Sequence, residues 1–148
     1  MKLPVCFDMV EYRTVTELPE KALAQLRGLY IGAGWIAPED RAEFLVPMLK
    51  QTQTAVGVFA GDDLIGFGRA VSDGCSDAYI QDVVVDAGYR KRGIGSGIIR
   101  HLEQELRRCG VDWIGLVGEP GTENFYSRLK LERRSGYTLW TFPDGKSG

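Results

Sequence analysis

Histidine is nearly missing from this chain: among 148 residues there is one, His101. Cysteine is sparse, at three (Cys6, Cys75 and Cys109), an odd count with no Cys-x-x-Cys pair. A zinc site built from Cys and His needs ligands at close, paired spacing, so a metal centre of that kind is excluded. The thiols read as reduced side chains of a cytosolic protein, used as small apolar filler. An excess of positive charge is missing too. The formal net charge is −2, which argues against a nucleic-acid binder that works by neutralising phosphates. No apolar run approaches the roughly 20 residues of a membrane span. The opening Met1-Lys2-Leu3-Pro4 lacks the apolar stretch of a secretory signal. A soluble, cytoplasmic protein is expected, with no metal, no nucleic-acid partner and no membrane.

What is present suits an ordinary domain. A charged fraction of 26% and an apolar fraction of 44% let a chain of this length bury a core without a disulfide staple. No linker, repeat or low-complexity tract interrupts it, so one domain over 1–148 is expected.

Hydrophobic spacing predicts elements of alternating type. A first strand is expected over 5–14. A helix over 19–30 carries Leu23, Leu26 and Tyr30, with Pro19 at its start. A break at Gly32-Ala33-Gly34-Trp35 follows, and Pro38-Glu39-Asp40 is expected to open a second helix carrying Phe44, Leu45, Met48 and Leu49. A hairpin over 54–60 and 64–71 turns at Gly61-Asp62-Asp63. A strand over 77–86 ends in Val83-Val84-Val85. The helix over 94–109 repeats Ile94, Ile98, Leu102 and Leu106, and Gly110 closes it. A strand over 112–118, a short helix over 121–130 and one or two strands over 132–142 complete an α/β (α+β) order.

The most informative stretch runs from Val83 through Asp86-Ala87-Gly88-Tyr89-Arg90-Lys91-Arg92-Gly93-Ile94-Gly95-Ser96-Gly97. An apolar strand enters a basic, glycine-containing loop and then a long helix. The first N–H groups of a helix lack partners, and the helix dipole adds positive potential there. Gly93 and Gly95 would let an anion approach those amides, with Arg90, Lys91 and Arg92 around it. A pyrophosphate would fit. The loop is neither a P-loop, since Gly-Lys-[Ser/Thr] is absent, nor the Gly-x-Gly-x-x-Gly dinucleotide fingerprint. From the loop alone a second reading stays open: a solvated basic turn whose glycines serve only helix–strand packing.

Arg90-Lys91-Arg92-Gly93-Ile94-Gly95 resembles the R/Q-x-x-G-x-G/A signature of the GNAT superfamily of N-acetyltransferases. Ile65 to Ala70 and Tyr79 to Val85 resemble bacterial and plastid-type members. Phe125-Tyr126-x-x-Leu129 resembles that family's Phe-Tyr-x-Lys-Leu-Gly-Phe segment, and the likeness covers nearly the whole chain. It implies a mixed, mostly antiparallel sheet flanked by helices, with a central strand that splays from the next. The implied cleft lies between 81–85 and 113–117, where Gly115 and Gly118 would allow close approach. The resemblance further implies acetyl-coenzyme A as cosubstrate. Its pyrophosphate would lie on the amides of Lys91 to Ser96, Ile94 included. Its pantetheine arm would pair along Val83, Val84 and Val85.

Attack of an amine on a thioester needs a neutral amine, a stabilised oxyanion and a proton for the thiolate. Tyr126 occupies the position of the family's tyrosine acid; its other reading is a core aromatic. Gln81 stands where some relatives have glutamate. It cannot titrate, and could position a water or the substrate. Asp82 and Glu119 are alternative bases. Strand alternation puts Tyr79, Gln81 and Val83 on one face and Ile80, Asp82 and Val84 on the other. Glu119 falls where many members carry an asparagine that contacts the coenzyme. For the acceptor, a small-molecule or peptide amine, aromatic side chains led by Trp35 and Tyr79 are candidates, against a plain core role. A homodimer is an expectation by family analogy. Gln81 and Glu119 keep open an alternative: an acyl-coenzyme A binding or sensing module without turnover. His101 is expected to be a solvated or half-buried helix residue.

Overall fold

The computed structural model describes residues 9–144. Residues 5–8 of the expected first strand, and Cys6, lie outside the described residues. Those described fall into two compact units, one ending at Val117 and one starting at Gly118.

The first unit contains β1 (Val10–Thr14), α1 (Glu20–Gly32), α2 (Leu45–Gln51), β2 (Thr54–Ala60), β3 (Asp63–Ser72), β4 (Asp77–Val85), a 3-10 turn (Ala87–Tyr89), α3 (Ile94–Arg108) and β5 (Trp113–Leu116). The strands form a single sheet in chain order, β1-β2-β3-β4-β5. The first three pairings are antiparallel and β4–β5 is parallel, as a crossover through α3 requires. This is the mixed, mostly antiparallel sheet flanked by helices that the family resemblance implies.

Alternation along the strands builds two cores. Ala55, Phe59, Leu64, Phe67 and Val84 pack with Ala22, Leu26, Leu29 and Tyr30 of α1 and Leu45 and Leu49 of α2. On the opposite face Ile98 of α3 lies against Gly66 and Gly68 of β3. Ile98, Leu102 and Leu106 are fully buried, the four-residue repeat read from the sequence. Each such side chain contributes about 1.5–3 kcal/mol.

α2 starts at Leu45, not at Pro38. The reason is Pro47: a helix begun at Pro38 would carry it in its interior, where proline breaks the ladder, whereas in α2 it falls in the first turn. Residues 37–40 form a turn instead, in which the Asp40 carboxylate accepts from the Ala37 N–H at 2.8 Å.

The cleft expected between 81–85 and 113–117 needs correcting. Asp77–Ile80 of β4 pairs with Trp113–Leu116 of β5, and β4 runs on to Val85 without that partner. The strands are therefore zipped along 113–116, and their pairing ends at Ile80 and Leu116. Gly115 sits in the zipped part opposite Tyr79. Its missing side chain makes room for the Trp113 indole, 2.5 Å from where a Cβ would stand.

The second unit holds α4 (Glu123–Arg128). Residues 132–142 form no strand. Their alternation is strand-like, yet a strand exists only in a ladder, and no pairing reaches them. Tyr137, Leu139, Trp140 and Phe142 are exposed.

Candidate active site

The loop after β4 is built by short local bonds. The Asp86 N–H donates to the Ile65 carbonyl at 2.8 Å, which holds the end of β4 on β3. The Asp86 carboxylate accepts from the Gly88 N–H at 2.9 Å and starts the 3-10 turn. The chain then reaches Gly93, the N-cap of α3, at φ 78°. That left-handed conformation is easy for glycine and costly for other residues. No side chain caps the helix there, and a Cβ on Gly93 would meet nothing within 4 Å. The first intrahelical bond is Gly97 N–H to the Gly93 carbonyl, 3.0 Å. The N–H groups of Ile94, Gly95 and Ser96 therefore precede the ladder and have no acceptor within the helix, with the dipole behind them.

Three cationic residues lead into this point. Arg90 donates through Nε to the Val85 carbonyl at 3.3 Å, Arg92 lies over the Tyr89 ring at 5.2 Å, and Lys91 takes φ 63°. Of the two readings of the loop, Gly97 meets the packing one, because a Cβ there would overlap the Tyr12 ring of β1. Gly93 does not, since nothing packs on it.

Beyond Ile80 the outer edge of β4 has no strand partner and leads to the loop, where Arg90 Nε occupies the Val85 carbonyl. Val84 pairs with Phe67 and Val85 with Gly66 on the β3 side. The Asp86 N–H turns toward β3, so alternation directs the main-chain groups of Val83 and Val85 to the side that β5 has left.

A bulge interrupts β4. Gln81 pairs with Arg69 and Val84 with Phe67, so Asp82 and Val83 together oppose Gly68 alone. Asp82 has φ 57°. Simple alternation puts Asp82 opposite Gln81 across the sheet; the extra residue brings both to the α1 face. There Tyr30 Oη donates to Asp82 Oδ2 at 2.7 Å and Arg69 Nε donates to the same oxygen at 2.7 Å. Arg69 Nη2 donates to Gln81 Oε1 at 3.1 Å. Side-chain exposure is 18% for Arg69 and 24% for Asp82, so either charge without the other would be left in a poorly solvated place.

Burial first, then the hydrogen bond to Asp82 and its charge, raise the Tyr30 pKa far above the ordinary value. A pKa raised by folding gives stability that is whole below the unfolded value and is lost as pH climbs past it. Above about pH 10 the urea midpoint should fall more steeply for the native chain than for Tyr30→Phe. Equal slopes would contradict a buried neutral phenol.

Trp35 meets Tyr30 edge-to-face, ring centres 5.1 Å apart, and so joins this cluster through Tyr30. Tyr79 lies two residues before Gln81 and pairs its ring with Trp113 at 5.2 Å; both rings are about half exposed. His101 is half-buried, 2.8 Å from Thr14 Oγ1.

In the second unit, Tyr126 is half-buried on α4. Burial, then the Glu119 carboxylate, raises its pKa. The Glu119 carbonyl accepts from Thr122 Oγ1 at 2.5 Å. Among the described residues no cluster of three His, Cys, Asp or Glu side chains could hold a metal ion.

The family model of the acetyltransferase (GNAT) family matches residues 20–130. The chain belongs to that family. An uncharacterized N-acetyltransferase of Pyropia yezoensis is 30% identical over 129 residues, which cover 82% of this chain and 72% of that protein. The fold matches a GNAT-family acetyltransferase of Streptococcus pneumoniae with TM-score 0.75, at 23% identity, over 93% of this chain and 100% of the other. It also matches AAC(6')-Iy, solved with the bisubstrate analogue CoA-S-monomethyl-acetylneamine, with TM-score 0.70 at 15% identity, over 93% and 100%.

Within this GNAT chain the expected residues fall into separate groups. Arg90 to Ser96 gather at the start of α3, and Val83 to Val85 lead into it. Gln81 stands at the bulge with Asp82, while Tyr126 and Glu119 belong to the second unit. Sequence reasoning passed over Arg69. Its signal was legible: one arginine in the apolar run of β3 needs a counter-charge on the neighbouring strand.

Proposed function

We propose that this GNAT chain moves an acetyl group from acetyl-coenzyme A to a primary amine of a small molecule or peptide, by direct attack. One observation carries the reading: an uncapped helix start behind Gly93 stands at the end of a strand whose outer edge has lost its neighbour. The amides of Ile94, Gly95 and Ser96 suit the pyrophosphate, and the edge at Val83–Val85 suits the amides of pantetheine. The bisubstrate complex of AAC(6')-Iy supports the same class of donor here.

The amine nitrogen attacks the thioester carbon, and the carbonyl oxygen takes up charge. A main-chain N–H near the bulge is the oxyanion donor in this reading. The C–S bond then breaks and the thiolate takes a proton from Tyr126, whose raised pKa keeps its hydroxyl protonated across the working range. In this reading the amine's own proton leaves through water, since Gln81 cannot titrate and the Asp82 carboxylate is taken by Tyr30 and Arg69. Freeing an alkylamine of that proton at neutral pH costs about 4–5 kcal/mol.

The amide at position 81 also favours a second reading, a module that binds acyl-coenzyme A without turnover. Release of free thiol from acetyl-coenzyme A over a panel of amines separates the two. Release with at least one primary amine, and none with its tertiary analogue, is expected. Binding without release from any amine would leave only the module.

A further inference from the structure

We propose that Tyr30, Asp82 and Arg69 form a lock that sets the β4 bulge for acyl transfer, and that Asp82 and Arg69 are its positioning residues. The inference rests on the acetyl-transfer reading above and deepens it.

The bulge, at Asp82 and Val83, follows Gln81 and so lies two residues beyond Ile80, the last β4 residue paired with β5. Whatever fixes it fixes where the cleft opens, because an extra residue bends its strand and increases the twist. Asp82 is held at φ 57°, a conformation an L-residue adopts only when its surroundings enforce it. The enforcement is visible. One carboxylate oxygen receives the Tyr30 hydroxyl and Arg69 Nε, each at 2.7 Å, from two different elements of the fold. Tyr30 is 3% exposed and is packed by Trp35 and Phe67, so it is a fixed anchor.

Arg69 also acts forward. Its Nη2 donates to Gln81 Oε1, and a guanidinium has only donors, so the Gln81 amide is held with its NH2 away from Arg69. Gln81 is exposed while its holder is not. The lock therefore orients an exposed donor and the main chain at Val83 from behind, without presenting its own charges to the substrate. Small displacements of such groups are costly: a shift of about 1 Å can cost about a hundredfold in rate.

The test uses Asp82→Asn, Arg69→Met and Tyr30→Phe in the full chain. Asparagine tolerates the left-handed conformation, so Asp82→Asn removes the charge while sparing the backbone. The expected result is a kcat lower by about ten- to a hundredfold for Asp82→Asn and Arg69→Met, with a coenzyme A Kd within about threefold of the native value. Tyr30→Phe keeps its ring packing and should lose less. Arg69→Met should cost less on top of Gln81→Ala than it does alone, because part of its effect runs through Gln81, and the loss that persists is the part that runs through Asp82. Amide hydrogen exchange at 81–85 supplies the readout that needs no turnover, and it should quicken in both charge variants. Native kcat in folded Asp82→Asn and Arg69→Met would overturn the lock. So would unchanged exchange at 81–85, whether or not the native chain turns over. Absence of turnover in the native chain alone would instead sink the acetyl-transfer reading.

Discussion

Replacing Gly93 by valine is expected to weaken coenzyme A binding by at least about a hundredfold while the chain stays folded. Gly93 has φ 78° and caps α3. A left-handed conformation costs an L-residue about 1–2 kcal/mol, and a β-branched one more. The loop relieves that strain by turning, and the amides of Ile94 to Ser96 turn with it. Hydrogen bonds to a charged group contribute about 1.5–3 kcal/mol each, so losing two is enough for the stated factor. Direct crowding is a minor part, because nothing lies within 4 Å of the added Cβ. Gly93→Asn provides the control: asparagine accepts the conformation, so its affinity should fall between the two. Circular dichroism checks the fold and calorimetry the affinity. Native affinity in Gly93→Val would mean that the pyrophosphate is held elsewhere.

Tyr126→Phe should lower kcat by about a hundredfold or more and leave coenzyme A affinity unchanged, as loss of a general acid does. The pH profile adds a sign. Burial and the Glu119 charge raise the Tyr126 pKa, so the hydroxyl keeps its proton to a higher pH than an ordinary tyrosine. The alkaline fall in kcat should therefore lie above about pH 10, and Tyr126→Phe should lack it. Glu119→Gln removes the nearby charge and should move that limb down. A Tyr126→Phe variant with native kcat would return Tyr126 to the role of packing residue.

Much of this was legible in the residues, for physical reasons that differ by element. The α3 repeat of Ile98, Leu102 and Leu106 is unambiguous because helix period and burial agree. The loop from Asp86 to Ser96 was legible because glycine, charge and helix start fall together. The start of α2 was misplaced because Pro47 outranks the apolar pattern before it. The strands expected over 132–142 are absent because alternation states a preference, whereas pairing supplies the ladder. The bulge was invisible for a sharper reason. Alternation counts residues on one strand, and a bulge is a mismatch between two. That single extra residue carries Asp82 to Arg69 and Tyr30, so the polar core of the site could not be assembled from period alone.

Calorimetric titration of the native chain with coenzyme A, beside ATP and NAD, bears most directly on the anion seat at the start of α3. A single site per chain that prefers coenzyme A is the expected result. No heat with coenzyme A, or equal affinity for the other two ligands, would contradict it.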